Sequence, residues 1–151
     1  MTAGNRQFNL GFRRRLPKSR RGFIGNDIAK DLHAYIAGIA RTLDSHVHEI
    51  GGVQDHVHVF LSLPRTLSVS QLIEEMKKGS SKWIKTKGDF YKDFSWQAGY
   101  GAFSISQSSY DALRKYIQNQ EEHHKTVSFQ DEFRLFLERY AIKFDERYVW
   151  D

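Results

Sequence analysis

An α/β domain of the α+β kind, an antiparallel sheet with helices on one face, is predicted by three observations. Residues 27–43 carry a helical apolar stripe. Two runs, 45–53 and 55–63, lie one residue apart and alternate as an antiparallel pair. A second helical stripe then precedes an aromatic and β-branched run over 94–105. The 151 residues suffice for one ordinary core and are short for two, so a single domain spanning 1–151 is expected.

The elements follow in order. Gln7 to Phe12 alternates Phe8, Leu10 and Phe12 and supplies a first strand, weakened by Gly11 and the arginines that follow. Ile28, Leu32, Tyr35, Ile36, Ile39, Ala40 and Leu43 recur at helical spacing, with Asn26 available as a cap. In the 55–63 strand, His56, His58, Phe60 and Ser62 share one face while Val57, Val59, Leu61 and Leu63 share the other, so the histidines back onto an aliphatic core face. Pro64 ends that strand. Ser68 and Gln71 form a capping box that opens a helix, with Leu72, Ile73, Met76, Trp83 and Ile84 facing inward. The run over 94–105 reads as a strand with a glycine-relieved bend. Ser108 with Asp111 boxes one further helix and Ser128 with Asp131 another, whose Phe129, Phe133, Phe136, Leu137 and Tyr140 form a packing stripe. The order strand, helix, strand, strand, helix, strand is the split βαβ arrangement of ferredoxin-like and RRM-like domains, here with extra C-terminal helices. Such a fold gives no activity by itself, and the chemistry must come from residues on the open face.

Composition narrows the classes. The 40% apolar content and abundant Phe and Tyr argue against disorder, and no apolar run approaches the roughly 18 residues of a membrane span. The N-terminus is polar and then basic, without the apolar core of a secretory signal, so a cytoplasmic protein is expected. The absence of cysteine removes disulfides, thiolate catalysis and Cys-type zinc sites. Net charge is +5, and six of the nine residues from 13 to 21 are basic: Arg13, Arg14, Arg15, Lys18, Arg20 and Arg21. Such a cluster attracts phosphates without sequence preference. A second basic surface, Lys77, Lys78, Lys82, Lys85 and Lys87 interleaved with Ser80, Ser81 and Trp83, suits a sugar-phosphate backbone. Trp83, Trp96 and Tyr100 are candidates to stack unpaired bases, though core packing accounts for Trp96 better.

The pair His56 and His58 can present two imidazoles to one divalent metal, because a strand projects alternate side chains to the same face. Asp55 lies close enough in sequence to support them as an outer partner. On a helix, Tyr116, Gln120 and His124 fall at i, i+4 and i+8 and share a face. Two imidazoles and one amide oxygen leave coordination positions open, as catalytic sites do. Tyrosine, with a reference pKa of about 10, needs help as a nucleophile. A metal that polarises a phosphate supplies it, together with Arg114, Lys115 or Lys125 near the transition-state charge.

Four segments, Gly52-Val-Gln-Asp-His-Val-His-Val-Phe60, Lys77-Lys-Gly-Ser-Ser-Lys-Trp83, Trp96-Gln-Ala-Gly-Tyr-Gly-Ala-Phe103 and Tyr116-Ile-Gln-Asn-Gln-Glu-Glu-His-His124, resemble the small HUH single-tyrosine transposases of bacterial insertion sequences (IS200-like). The resemblance runs from about residue 27 to the end of the chain. Residues 1–22 depart from it: relatives open on a clean apolar strand, whereas this segment is polar and arginine-rich. The resemblance implies that His56 and His58 hold Mg²⁺ or Mn²⁺ with Gln120 as third ligand, and that Tyr116 is the nucleophile. It also implies a homodimer in which histidines and tyrosine helix can come from different subunits. The implied substrate is single-stranded DNA with hairpin ends, cut and rejoined through a 5′-phosphotyrosine. A replication-initiation or relaxase-type nickase with the same parts, and a catalytically inactive DNA-binding derivative, are the alternatives.

Overall fold

Alternation along β3, His56–Leu63, divides the molecule into two cores. The computed structural model describes residues 6–15, 26–53 and 56–119, and β3 is central in its sheet. The other elements are β1 Arg6–Arg13, α1 Asn26–Thr42, β2 Val47–Val53, α2 Val69–Lys85, β4 Gly101–Ser104 and α3 Tyr110–Gln118, with single 3-10 turns at Asp89–Tyr91 and Gln107–Ser109. The four strands run antiparallel in the order β2-β3-β1-β4.

One face of the sheet, through Leu10, Phe12, Val57, Val59 and Leu61, packs against Leu32, Ile36 and Ala40 of α1 and Leu72, Ile73, Met76 and Ile84 of α2. Burial of these apolar side chains, each worth roughly 1.5–3 kcal/mol, is the main force holding the helices on this face. The two helices approach closely at Gly79, where a Cβ would lie 2.6 Å from Ile39 Cδ1. α2 opens on the capping box expected from its sequence. Ser68 accepts from the Gln71 amide at 3.1 Å, and the Gln71 side chain accepts from the Ser68 amide at 2.9 Å. Tyr35 departs from the expected stripe: it is 40% exposed and stacks on Trp83 at 5.0 Å, outside the core.

The opposite face forms a second core, in which Phe60 and Ile105 are buried against Leu113 and Ile117 of α3. The expected open face is therefore partly covered, and by the helix that carries Tyr116. At the far end of β3 from the histidines, a polar knot joins three strands. His48 Nε2 donates to Gln7 Oε1 at 2.7 Å and lies 3.1 Å from Ser62 Oγ, which itself donates to Gln7 at 2.8 Å. A bulge between Val47 and Glu49 breaks the alternation of β2 here.

Two further expectations are corrected. The strand expected over 94–105 is reduced to Gly101–Ser104 and a single bridge between Trp96 and Arg14. Carbonyls of Gln97, Ala98 and Gly99 turn instead toward the Lys77 ammonium, at 2.7, 3.3 and 2.9 Å, so they do not continue a ladder. The Ser108–Asp111 box does not form either. A 3-10 turn leads into α3, Ser109 makes no side-chain cap, and Asp111 faces Arg114 at 3.7 Å. The helix expected from Ser128 lies outside the described residues.

Candidate active site

His56 and His58 are each 1% exposed, on the face of β3 away from the α1–α2 core. Their rings are 5.1 Å apart between centroids and nearly perpendicular. The register explains the room around His58. Its partner on β2 is Gly51, its partner on β1 is Gly11, and Gly11 in turn pairs with Gly101 of β4. A row across all four strands thus carries one side chain, the His58 imidazole. Glycine inside a strand commonly marks a close approach of another backbone or a ligand.

On the β2 side the approaching backbone is α3. A Cβ on Gly51 would stand 2.8 Å from the Ile117 carbonyl oxygen and 2.9 Å from Ile117 Cγ2. Leu113 and Ile117 supply the buried stripe of this helix, and Gln118 Nε2 donates to Glu49 of β2 at 3.0 Å. Seated in this way, α3 brings the ring of Tyr116 to 5.4 Å from that of His58, edge to face at 76°. The tyrosine hydroxyl oxygen is shielded from solvent. Sequence spacing had placed these groups on two elements; the structure brings them together within one chain.

Two buried imidazoles on one strand face suit a divalent metal in ligand type and placement. Among the described residues no group of three or more His, Asp or Glu could hold a metal by itself. Gln120, the expected third ligand, lies outside the described residues, as do Asp55 and His124. A histidine that the sequence pattern did not single out, His33 of α1, lies within electrostatic reach of His56. Burial first, and then that neighbour, push it down to about 4. Arg114 lies over Phe60 with its guanidinium carbon 5.7 Å from the ring centroid, so it sits along the strand from His58 toward His48. Burial and then the charges of His46 and Arg114 hold His48 below its usual range. Lys115 is exposed near the end of α3.

The expected DNA-contacting residues divide into two groups. Arg15, Lys78, Lys82 and Lys85 are exposed, and Arg13 is half-buried. Lys77 and Arg14 are built into the protein. The three donors of Lys77 face three carbonyls, and Arg14 is 4% exposed with its guanidinium 5.1 Å over the Phe94 ring. Both side chains are held below their ordinary pKa, first by burial. Trp83 is contacted by Tyr35 and by the Lys87 ammonium, 5.0 Å from its centroid. Trp96 donates from Nε1 to Ser80 Oγ at 2.9 Å and packs on Phe12 and Phe94, so core packing is its role. Lys18, Arg20 and Arg21 lie outside the described residues. No helix among the described residues is long and apolar enough to cross a membrane.

An RRM-like sheet with a His-Val-His strand beside a tyrosine-bearing helix defines an HUH-type arrangement. The family model described as "Transposase IS200 like" matches residues 15–120, and the chain belongs to this family of transposases. Among solved structures, a candidate transposase from Deinococcus radiodurans R1 is similar at 17% identity, with a TM-score of 0.57 over 77% of this chain and 91% of that one. A REP-associated tyrosine transposase bound to a REP hairpin is similar at 18% identity, with a TM-score of 0.61 over 81% of this chain and 70% of that one. At such identities the likeness concerns the fold. Comparison with curated proteins gives no match.

Proposed function

We propose that this chain cleaves and rejoins single-stranded DNA at the ends of a mobile element, with Tyr116 as the nucleophile. The observation that carries this reading is the approach of Tyr116 to His58 on a face where two imidazoles are buried side by side. The Tyr116 oxygen attacks a backbone phosphorus and gives up its proton. The bond from phosphorus to the 3′ oxygen breaks, that oxygen takes a proton, and the 5′ phosphate stays on the tyrosine. A second 3′-hydroxyl then reverses the step and displaces the tyrosine. The phosphodiester energy is held in the tyrosyl ester, so rejoining needs no ATP.

Mg²⁺ or Mn²⁺ would be held by His56 and His58, with Gln120, four positions after Tyr116, as third ligand. When bound, the ion polarises the scissile phosphate and neutralises its charge. Tyr116 is carried to the histidines by α3, whose seat on the sheet is set by the close approach of Ile117 to Gly51. The hairpin in a neighbouring structure supports hairpin-ended DNA as substrate. The homodimer implied by the sequence resemblance would join at an edge strand, and β2 is one of the two edges; light scattering measures it. A nickase with the same parts would leave the flanks open. The test is incubation of labelled single-stranded DNA from the borders of the gene with wild type and Tyr116→Phe. A covalent adduct and sealed flanks are expected from wild type only. An adduct that survives loss of Tyr116 overturns the assignment.

A further inference from the structure

Away from Tyr116 and the histidines, an open hollow of about 400 Å³ lies between one side of α2 and the segment entering β4. Ile73, Glu74 and Lys78 line it from α2, and Trp96 and Tyr100 line it from the segment. The wall is rigid. Lys77 ties down three successive carbonyls, Gln97 to Gly99, and Trp96 is fixed by its hydrogen bond to Ser80. Tyr100 is different: it is 39% exposed, and the Lys77 ammonium lies 5.8 Å from its ring centroid. The hollow therefore offers a partly exposed aromatic ring next to a loop whose carbonyls Lys77 holds, which lowers the cost of ordering that loop on binding.

The lining also selects among ligands. The lining carries both signs, the Glu74 carboxylate and the Lys78 ammonium, while the three donors of Lys77 already face carbonyls, so it is not a dedicated anion site. A flat, neutral ring stacks on tyrosine, and a carboxylate accepts from an exocyclic amine. Lys78 lines the hollow and Lys82 follows one turn along α2, both exposed, so two ammonium groups are available to phosphates beside such a ring.

We propose that this hollow takes one unstacked base of single-stranded DNA, with Tyr100 as stacking surface, Glu74 favouring bases that carry an amino group, and Lys78 and Lys82 on the flanking phosphates. The inference rests on the reading of the chain as an enzyme of single-stranded DNA and adds a binding site apart from its chemistry. Fluorescence anisotropy with oligo(dA), oligo(dC), oligo(dT) and an abasic deoxyribose-phosphate chain of equal length tests it. Wild type should bind oligo(dA) and oligo(dC) more tightly than oligo(dT), and the abasic chain least. Tyr100→Ala should weaken the base-bearing strands by roughly 5- to 150-fold, the range of one lost stack, and leave the abasic chain unchanged. Tyr100→Phe should restore binding, and Glu74→Ala should erase the preference against oligo(dT). Equal binding of base-bearing strands by wild type and Tyr100→Ala overturns the proposal, as does an equal loss for the abasic chain. Two results separate this site from the chemistry. Wild type that stacks bases through Tyr100 but forms no tyrosyl adduct overturns the transposase reaction and leaves the pocket. Wild type that forms the adduct while Tyr100 is without effect overturns the pocket alone.

Discussion

Tyr116 meets His58 edge to face, with 5.4 Å between ring centroids, and both residues belong to the same polypeptide. The contact shows a single chain bringing its own tyrosine helix to its own histidines, where the sequence resemblance also allows exchange between subunits. A chain that supplies its own histidines and tyrosine helix has a complete pair without a partner. Mixing His56→Ala chains with Tyr116→Phe chains is therefore expected to recover no DNA cleavage. Recovery of the covalent adduct on a denaturing gel would show that the helix is exchanged and that the intramolecular seat is not the active one.

That seat depends on a missing side chain. Gly51, the cross-strand partner of His58, lets the Ile117 carbonyl approach to where a Cβ would stand at 2.8 Å. Gly51→Ala must push α3 outward, and backbone cannot yield as the end of a long side chain can. The expected cost to stability is about 1–3 kcal/mol, as for other overpacked sites. Displacement of Tyr116 should slow cleavage on the order of 10- to 100-fold, because misplacement of about 1 Å is enough for such a loss. Affinity for hairpin DNA should hold. Single-turnover rates and anisotropy on the same protein check both halves, and an unchanged rate would remove Gly51 from the positioning of the tyrosine.

The parts of this site were unequally legible in the sequence. Strict alternation in β3 revealed both the aliphatic face and the histidine face, because period two is a geometric property of a strand. The seat of α3 was hidden. Its stripe, Leu113 and Ile117, shows that the helix packs but not on which side of the sheet, and the clue, glycines at 11, 51 and 101, becomes a row only once the register is known. Within the run over 94–105 that reads as strand, the carbonyls of Gln97, Ala98 and Gly99 satisfy Lys77, a long-range partner that no local pattern announces. His33 and His56 lie far apart in sequence, and their coupling appears only when α1 is packed on the sheet.

The lysines of α2 should separate by measurement as they do by geometry. Lys77→Met leaves three carbonyls facing an apolar chain and should cost about 2 kcal/mol, by the usual worth of hydrogen bonds to a charged group. For a chain of this size that lowers Tm by roughly 4–8 °C. The dependence of DNA affinity on salt should stay as in wild type. Lys78→Ala and Lys82→Ala, both exposed, should leave Tm in place and each reduce the slope of log affinity against log salt by about one. A reduced salt slope for Lys77→Met would mean that its ammonium leaves the loop to meet phosphate.

Acid should loosen the fold through His33. Its folded-state pKa is depressed from 6.5 to about 4, by burial first and by His56 second. Between these values the unfolded chain binds a proton that the folded chain refuses, so the unfolded state gains as pH falls. The stabilisation is complete above pH 6.5 and is lost progressively down to about pH 4. His48, also depressed mainly by burial, acts with the same sign. Because His33 keeps some contact with solvent, its share is about 1–3 kcal/mol rather than the full equivalent of the shift. Urea unfolding at intervals from pH 7 down to about 5, where carboxylates with reference values near 4 stay mostly ionised, isolates the histidine contribution. His33→Gln should flatten the profile in that window. An unchanged slope in the variant would show that His33 titrates alike in the folded and unfolded chain, and so that its imidazole is not held against the sheet near His56.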